Sequence, residues 1–241
     1  MRIALAQFES RKGDIAYNLK RHIEYVKIAA LEGADLIVFP ELSLSGYEPT
    51  IVAACSMDLL DERLSSIRSM ARDNKICIAL GLPLHSNSLP FIGMAFFQED
   101  ITVQSYAKQI LHEDEYPYFQ AGKRELLLHV SKRNISFGIC YESIQREHLD
   151  KAILAGTHIY IASVAKPAGA STRAHEYFLQ RSREVDIPLL FCNGIGHSDN
   201  FISAGRSAVW KKGYCLSALA ADKEGILFYD TENDLCDTLH L

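Results

Sequence analysis

The 241-residue chain has no Cys-x-x-Cys pair, no Gly-x-Ser-x-Gly elbow and no run approaching the roughly 18–20 apolar residues that cross a bilayer. It also lacks an excess of basic charge. Each absence excludes something. Cysteines at 55, 77, 140, 192, 215 and 236 lie far apart, whereas zinc sites need close ligand pairs, so no structural metal is expected. The start, Met1-Arg2-Ile3-Ala4-Leu5-Ala6-Gln7-Phe8, is a strand-like run broken at once by Glu9, Arg11, Lys12 and Asp14, which is not a signal peptide. The chain therefore reads as cytoplasmic, where disulfides are not expected and no membrane partner is implied. A net charge of −5 argues against a general nucleic-acid binder, which needs a basic surface to release counterions from phosphates. There is no internal repeat, low-complexity segment or Pro/Gly-rich linker, so residues 1–241 are expected to form one domain.

What is present reads as an α/β chain. Apolar residues make up 48 % and charged residues 23 %, ordinary usage for a globular core. Leu19, Ile23, Val26 and Ala30 recur at helical spacing across 16–32, and Gly33 stops the pattern. The continuous run Asp35-Leu36-Ile37-Val38-Phe39 suits a strand buried on both faces. A second helix is expected on the stripe Met57, Leu60, Leu64, Ile67 and Ala71, leading to a strand at 76–81. Residues 90–98 and 101–107 read as adjacent strands joined at Gln98-Glu99-Asp100, and 126–130 and 135–139 as strands around a polar turn. Helix and strand then alternate at 146–155, 159–164, 172–186 and 189–192, and 206–229 is mostly short strands. Such alternation around antiparallel pairs points to two mixed sheets packed face to face with helices outside, and the helices are too few for an eight-fold barrel.

Three polar residues close apolar strands. Glu41 follows Leu36–Pro40, Lys108 follows Ile101–Ala107, and Cys140 follows Ile135–Ile139. Strand ends are where α/β folds present side chains to a crevice. A thiol can attack a carbonyl, a carboxylate can move the proton, and an ammonium can hold the developing oxyanion and favour the thiolate. Spacing alone leaves a plainer alternative, in which Glu41 and Lys108 are solvated caps and Cys140 is buried filler.

The residues around them favour the first alternative. Phe39-Pro40-Glu41-Leu42-Ser43-Leu44-Ser45-Gly46-Tyr47 resembles the first motif of the nitrilase superfamily, the carbon–nitrogen hydrolases. Tyr106-Ala107-Lys108-Gln109-Ile110-Leu111 resembles the motif around that family's lysine, and Gly138-Ile139-Cys140-Tyr141-Glu142 its nucleophile motif. The three stand in family order. Glu115-Tyr116-Pro117-Tyr118-Phe119, Cys192-Asn193-Gly194-Ile195-Gly196 and Gly205-Arg206-Ser207-Ala208-Val209 resemble later segments, so the likeness runs from residue 2 to about 229. The resemblance implies a four-layer αββα sandwich of two mixed β-sheets and a Glu-Lys-Cys site without metal or organic cofactor. Cys140 would form a thioester, Glu41 would act as base and then acid, and Lys108 with the Tyr141 N–H would hold the oxyanion. Glu115 would orient the substrate or the lysine. Tyr47 is a candidate substrate contact; Glu142 would either touch substrate or steady the cysteine loop. A homodimer or higher homo-oligomer is likewise implied. Where family members usually carry Asp-Pro before a late glycine, this chain has Trp210-Lys211-Lys212-Gly213.

The expected reaction is hydrolysis of a non-peptide C–N bond in a small amide, of ω-amide or N-carbamoyl type. Nitrile-acting members more often resemble Cys-Trp-Glu at the nucleophile. Acyl transfer resembles a membrane-embedded branch, and a non-catalytic small-molecule binding protein is the third alternative. Arg173, Lys166 and Arg146 follow strands on the presumed active-site side, and one of them is expected to meet a substrate carboxylate. Nine histidines form no nucleophile signature, and Gly194-Ile195-Gly196 reads as a turn.

Overall fold

Alternate residues along the central strands face two different apolar layers, and this fixes the architecture. The computed structural model describes residues 1–100 and 103–241. The first half runs β1 (Arg2–Gln7), α1 (Ile15–Leu31), β2 (Leu36–Val38), α2 (Val52–Cys55), α3 (Ser65–Asn74), β3 (Cys77–Leu84), β4 (Phe91–Phe97) and β5 (Gln104–Ala107). The second half begins with β6 (Leu128–Val130), β7 (Arg133–Ile139), α4 (Arg146–Leu154), β8 (Ile159–Val164), α5 (Ala168–Glu184) and β9 (Leu189–Asn193). It closes with β10 (Ile195–Ser198), β11 (Phe201–Ala204), β12 (Ala208–Lys211), β13 (Tyr214–Ala218), β14 (Gly225–Asp230) and β15 (Cys236–His240).

Seven strands form one sheet in the order β15-β14-β1-β2-β3-β4-β5, and six form the other in the order β13-β12-β9-β8-β7-β6. Each sheet has a parallel centre, β1-β2-β3 or β7-β8-β9, flanked by antiparallel strands. Ile3, Leu5, Leu36 and Val38 pack between the sheets with Ile135, Ile139, Ile161 and Leu190. Their neighbours Ala4, Ala6, Ile37 and Phe39 point outward to Tyr25 and Val26 of α1 and Ile67 and Ala71 of α3. On the far side, Tyr160, Ala162 and Val164 meet Leu149 of α4 and Ala174 and Phe178 of α5, with Phe178 stacked on Trp210 at 5.4 Å. Three apolar interfaces separate four layers: the expected αββα sandwich, whose continuous apolar strands are buried on both faces.

Several details differ from the sequence reading. The stripe from Met57 to Ala71 is not one helix. Met57 bridges to Leu84, Leu60 is 76 % exposed, and a 3₁₀ turn at Glu62–Leu64 precedes α3. Asp61 accepts the Arg63 N–H at 2.9 Å, so its carboxylate caps the turn where the periodic pattern ran straight through. Gly194-Ile195-Gly196 is not only a turn, because Ile195–Ser198 pairs with β11 as a two-stranded ribbon. β15 pairs with β14 beyond the last expected strand. The unusual Trp210-Lys211-Lys212-Gly213 stretch closes the β12–β13 hairpin. Lys212 and Gly213 take φ of 50° and 82°, the left-handed pair that a two-residue turn requires. β5 begins at Gln104; the expected strand's first residues, Ile101 and Thr102, lie outside the described residues.

Candidate active site

The carboxyl ends of both parallel centres meet, and the charged residues stand at that junction. β5 is antiparallel to β4, which is antiparallel to β3, so Lys108 leaves its strand at the same edge as Glu41. Across the junction, Ser163 Oγ at the end of β8 donates to the Phe39 carbonyl at 2.9 Å, and the Ala165 N–H donates to Glu41 Oε2 at 3.1 Å. The two sheets are thus tied together beside Glu41.

Lys108 is fully buried. Its ammonium donates to Glu41 Oε1 at 3.0 Å and to Glu115 Oε1 at 2.6 Å. Glu115 accepts two further bonds: Oε1 from the Tyr47 hydroxyl at 2.9 Å, and Oε2 from the His112 N–H at 2.8 Å. Burial alone would lower the lysine pKa, but Glu41, Cys140 and Glu115 together hold it above the ordinary value, so the ammonium keeps its proton. Glu41 moves the other way. Burial raises its pKa, and Lys108 only partly opposes this. Such a carboxylate is more basic than an ordinary glutamate and so better able to take a proton.

Cys140 closes β7 in a left-handed conformation, φ 49°, which costs a non-glycine residue about 1–2 kcal/mol. The strain is held by its surroundings. The Cys140 N–H donates to the Ser163 carbonyl at 3.0 Å, and the Cys140 carbonyl accepts from Ser143 Oγ at 2.7 Å. Gly138 makes room below: a Cβ there would lie 2.1 Å from the Tyr160 hydroxyl. The turn lifts the thiol toward the Ala165 carbonyl, at 3.8 Å, and into the field of Glu41. Burial of the sulfur and the Glu41 charge push its pKa up to about 11, against the pull of Lys166 and Lys108. The resting group is a neutral thiol beside Glu41.

Glu142 does not line this cleft. Its carboxylate is fully buried and accepts four bonds: from the Tyr106 hydroxyl and Ile139 N–H at 2.8 Å, and from the Gln109 and Ile110 N–H groups at 2.7 and 3.1 Å. It staples the loop after Lys108 to the loop carrying Cys140, the second of the two roles expected for it. His148 bonds the Tyr106 and Tyr160 hydroxyls at 2.9 and 2.8 Å and backs the same staple. Tyr47 is half-buried, its hydroxyl engaged by Glu115 and its ring near Phe201. Tyr141 is half-buried, edge-on to His112, with its N–H beginning the turn after the cysteine. Arg173 lies exposed on α5 and forms no ion pair among the described residues. Arg146 is held by Asp150 and Glu184, away from the cluster.

Two groups carry more than the sequence reading gave them. Asn193, seen only as part of a strand-end motif, bonds both the N–H and the carbonyl of Lys166, at 2.9 and 3.1 Å. Lys166 itself, one of three candidates by position, is buried. Only the apolar-strand-then-polar pattern signalled either. Among the described residues no group of three His, Cys, Asp or Glu side chains is arranged to hold a metal ion. A cavity of about 540 Å³ lined by Met57, His85, Phe91, Lys123 and Arg124 contains none of the cluster. The chemistry outweighs size here, because that cavity holds neither nucleophile nor paired base. A cleft of about 20 Å³ beside Glu41 and Tyr47, lined also by Ala165 and Ser203, has room for a water molecule.

Known structures carry the same architecture, and they are nitrilase-superfamily amidases. An amidase from Nesterenkonia sp. AN1, solved with the result of Michael addition of acrylamide at its active-site cysteine, matches with a TM-score of 0.87 and 28 % identity, covering 95 % of this chain and 92 % of that one. The carbon-nitrogen hydrolase sequence profile matches residues 2–239, and the chain belongs to that family. Among curated relatives, the glutamine-dependent NAD(+) synthetase of Thermotoga maritima is 27 % identical over 220 residues, 87 % of this chain. The chain spans only 38 % of that synthetase's length. An (R)-stereoselective amidase from Pseudomonas sp. is 27 % identical over 213 residues, 86 % of this chain and 76 % of that protein. No helix among the described residues is long and apolar enough to cross a membrane.

Proposed function

We propose that the chain hydrolyses the terminal carboxamide of a small ω-amide, or a related N-carbamoyl group, through a thioester on Cys140. The observation that carries this is the Lys108 ammonium, buried between Glu41 and Glu115, with Glu41 and the Cys140 thiol meeting at the Ala165 backbone. As Sγ attacks the amide carbon, Glu41 takes the thiol proton. Lys108 and the Tyr141 N–H hold the carbonyl oxygen as it becomes an oxyanion. Glu41 returns the proton to the leaving nitrogen and ammonia departs. Glu41 then draws a proton from water, which attacks the thioester carbon; the carboxylic acid leaves and the thiol is restored. Glu115, bonded by Tyr47 and its own turn, keeps the ammonium aimed and offsets its charge. The amide preference is supported by the names of the relatives, two of which use or cleave amides, and by Tyr141 in place of tryptophan after the nucleophile. A dimer in the cytoplasm, where six free thiols stay reduced, completes the proposal.

Ammonia release across amides, carbamoyl compounds and nitriles, measured for wild type and Cys140→Ala together, tests the proposal. The variant should lose at least about 10³-fold in turnover. Equal turnover by the two would end this mechanism.

A further inference from the structure

Two lysines are buried at the sheet junction, and only one has a counter-ion. Lys108 is held between two carboxylates. Lys166 is 6 % exposed, and among the described residues its ammonium meets no carboxylate within salt-bridge distance and no hydrogen-bond acceptor. The residue is buried along its stem while the ammonium still reaches solvent, where an anion can meet it.

The backbone that carries it is rigid. The Lys166 N–H donates to Asn193 Oδ1 at 2.9 Å, and its carbonyl accepts from Asn193 Nδ2 at 3.1 Å and from the Ala204 N–H at 2.9 Å. Pro167 follows, bridged to Ser203. The preceding residue, Ala165, touches both reacting groups: its N–H bonds Glu41 and its carbonyl faces the Cys140 thiol. A free ammonium is therefore anchored one residue from the chemistry. Its field reaches the sulfur: while burial and Glu41 raise the thiol pKa, Lys166 opposes them ahead of Lys108. The other two cations considered do not compete. Arg146 is paired to Asp150 and Glu184, and Arg173 is exposed on α5.

We infer that Lys166 binds the carboxylate of an anionic amide, so that the preferred substrates carry a negative charge beyond the scissile carboxamide. This rests on the amide hydrolysis proposed above and adds its substrate class. Asn193 is then a positioning residue, acting on substrate only through the Lys166 backbone.

The test compares succinamate with butyramide, a neutral amide of the same chain length. Wild type should favour succinamate in kcat/KM, and Lys166→Met should lower the succinamate-to-butyramide ratio by about 10- to 100-fold. Lys166→Arg should keep most of the preference. The ratio does not depend on the fraction of folded enzyme, so a partly unfolded variant still gives a result. An unaltered ratio, with both substrates slowed alike, would overturn the inference and leave Lys166 serving the thiol or the packing. Calorimetry with Cys140→Ala provides a second arm: succinamate should bind it and bind at least about 10-fold more weakly when Lys166→Met is added. If wild type hydrolyses neither amide, the hydrolase proposal fails. The calorimetric arm then decides the carboxylate site alone, and equal binding by the two variants overturns it.

Discussion

Glu142→Gln removes one negative oxygen from a buried carboxylate whose four acceptor positions are all taken. The new amide nitrogen must face one of two pairs of donors. Turned toward Gln109 and Ile110, it leaves two backbone N–H groups without an acceptor. Turned toward Tyr106 and Ile139, it leaves one, because the tyrosine hydroxyl can rotate to accept. The second arrangement is the cheaper. An orphaned buried N–H costs about 1–3 kcal/mol, and the two bonds that remain lose their charge assistance, so the total is about 3–5 kcal/mol. For a chain of this size that is a fall in Tm of roughly 10 °C. The staple joins the Lys108 loop to the Cys140 loop, and a shift near 1 Å between reacting groups costs about 100-fold in rate. Differential scanning calorimetry and steady-state kinetics should therefore show a lower Tm together with a fall in kcat. If the Tm stayed within about 1 °C of wild type while KM alone rose, Glu142 would be a substrate ligand and the staple would be wrong.

Three further outcomes follow from the same contacts. The pH profile of kcat/KM should have its acid limb above the ordinary glutamate value of 4.5, because burial raises Glu41, and its alkaline limb should approach 11, where the buried Cys140 thiol titrates. These are apparent values of a coupled pair, and an alkaline limb below the unperturbed thiol value of 9.0 would count against the neutral resting thiol. His22, fully buried, bonds the Asn18 carbonyl at 2.6 Å and Ser43 at 2.9 Å beside the Glu41 turn, and burial lowers its pKa from 6.5 to about 4. The unfolded chain binds that proton more readily, so the contribution is complete above pH 6.5 and lost as pH falls toward 4, by about 3 kcal/mol. Urea unfolding in wild type and His22→Gln should show a steeper loss for wild type across that window. Gly138→Ala places a Cβ 2.1 Å from the Tyr160 hydroxyl and 3.0 Å from Ser143. It should lower stability by about 1–3 kcal/mol and slow acylation by displacing the Cys140 turn, both readable by thermal melts and single-turnover kinetics.

Much of this was legible because buried parallel strands write themselves as runs that are apolar but for an occasional serine or glycine. Leu36–Phe39, Ile135–Ile139 and Ile159–Val164 could hardly be anything else, and the polar residue closing each marked the junction. The strands that escaped notice carry little apolar pattern. β15 is an edge strand with Asp237, Thr238 and His240 exposed, and Ile195-Gly196-His197 is half-exposed. The helix expected at 57–71 failed because Met57 and Leu64 share a spacing without sharing a helix; Asp61 turns the chain between them. Within the cluster, residue type and motif identified Glu41, Lys108, Cys140 and Glu115. The sequence could not tell an acid paired with the buried lysine from one that takes three of its four donors from residues more than 30 positions away, which separates Glu41 from Glu142. Nor could it show that, among the described residues, Lys166 is the one of three candidate cations that is buried without an ion-pair partner.

The central claim is that Cys140 carries the acyl group. Rapid acid quench during turnover of succinamate or butyramide, followed by intact-mass and peptide mass spectrometry, tests it most directly. A transient mass gain equal to the acyl group, located on the peptide containing Cys140 and absent from Cys140→Ala, is the predicted result. Ammonia release with no adduct at any quench time, or an adduct on another cysteine, would contradict it.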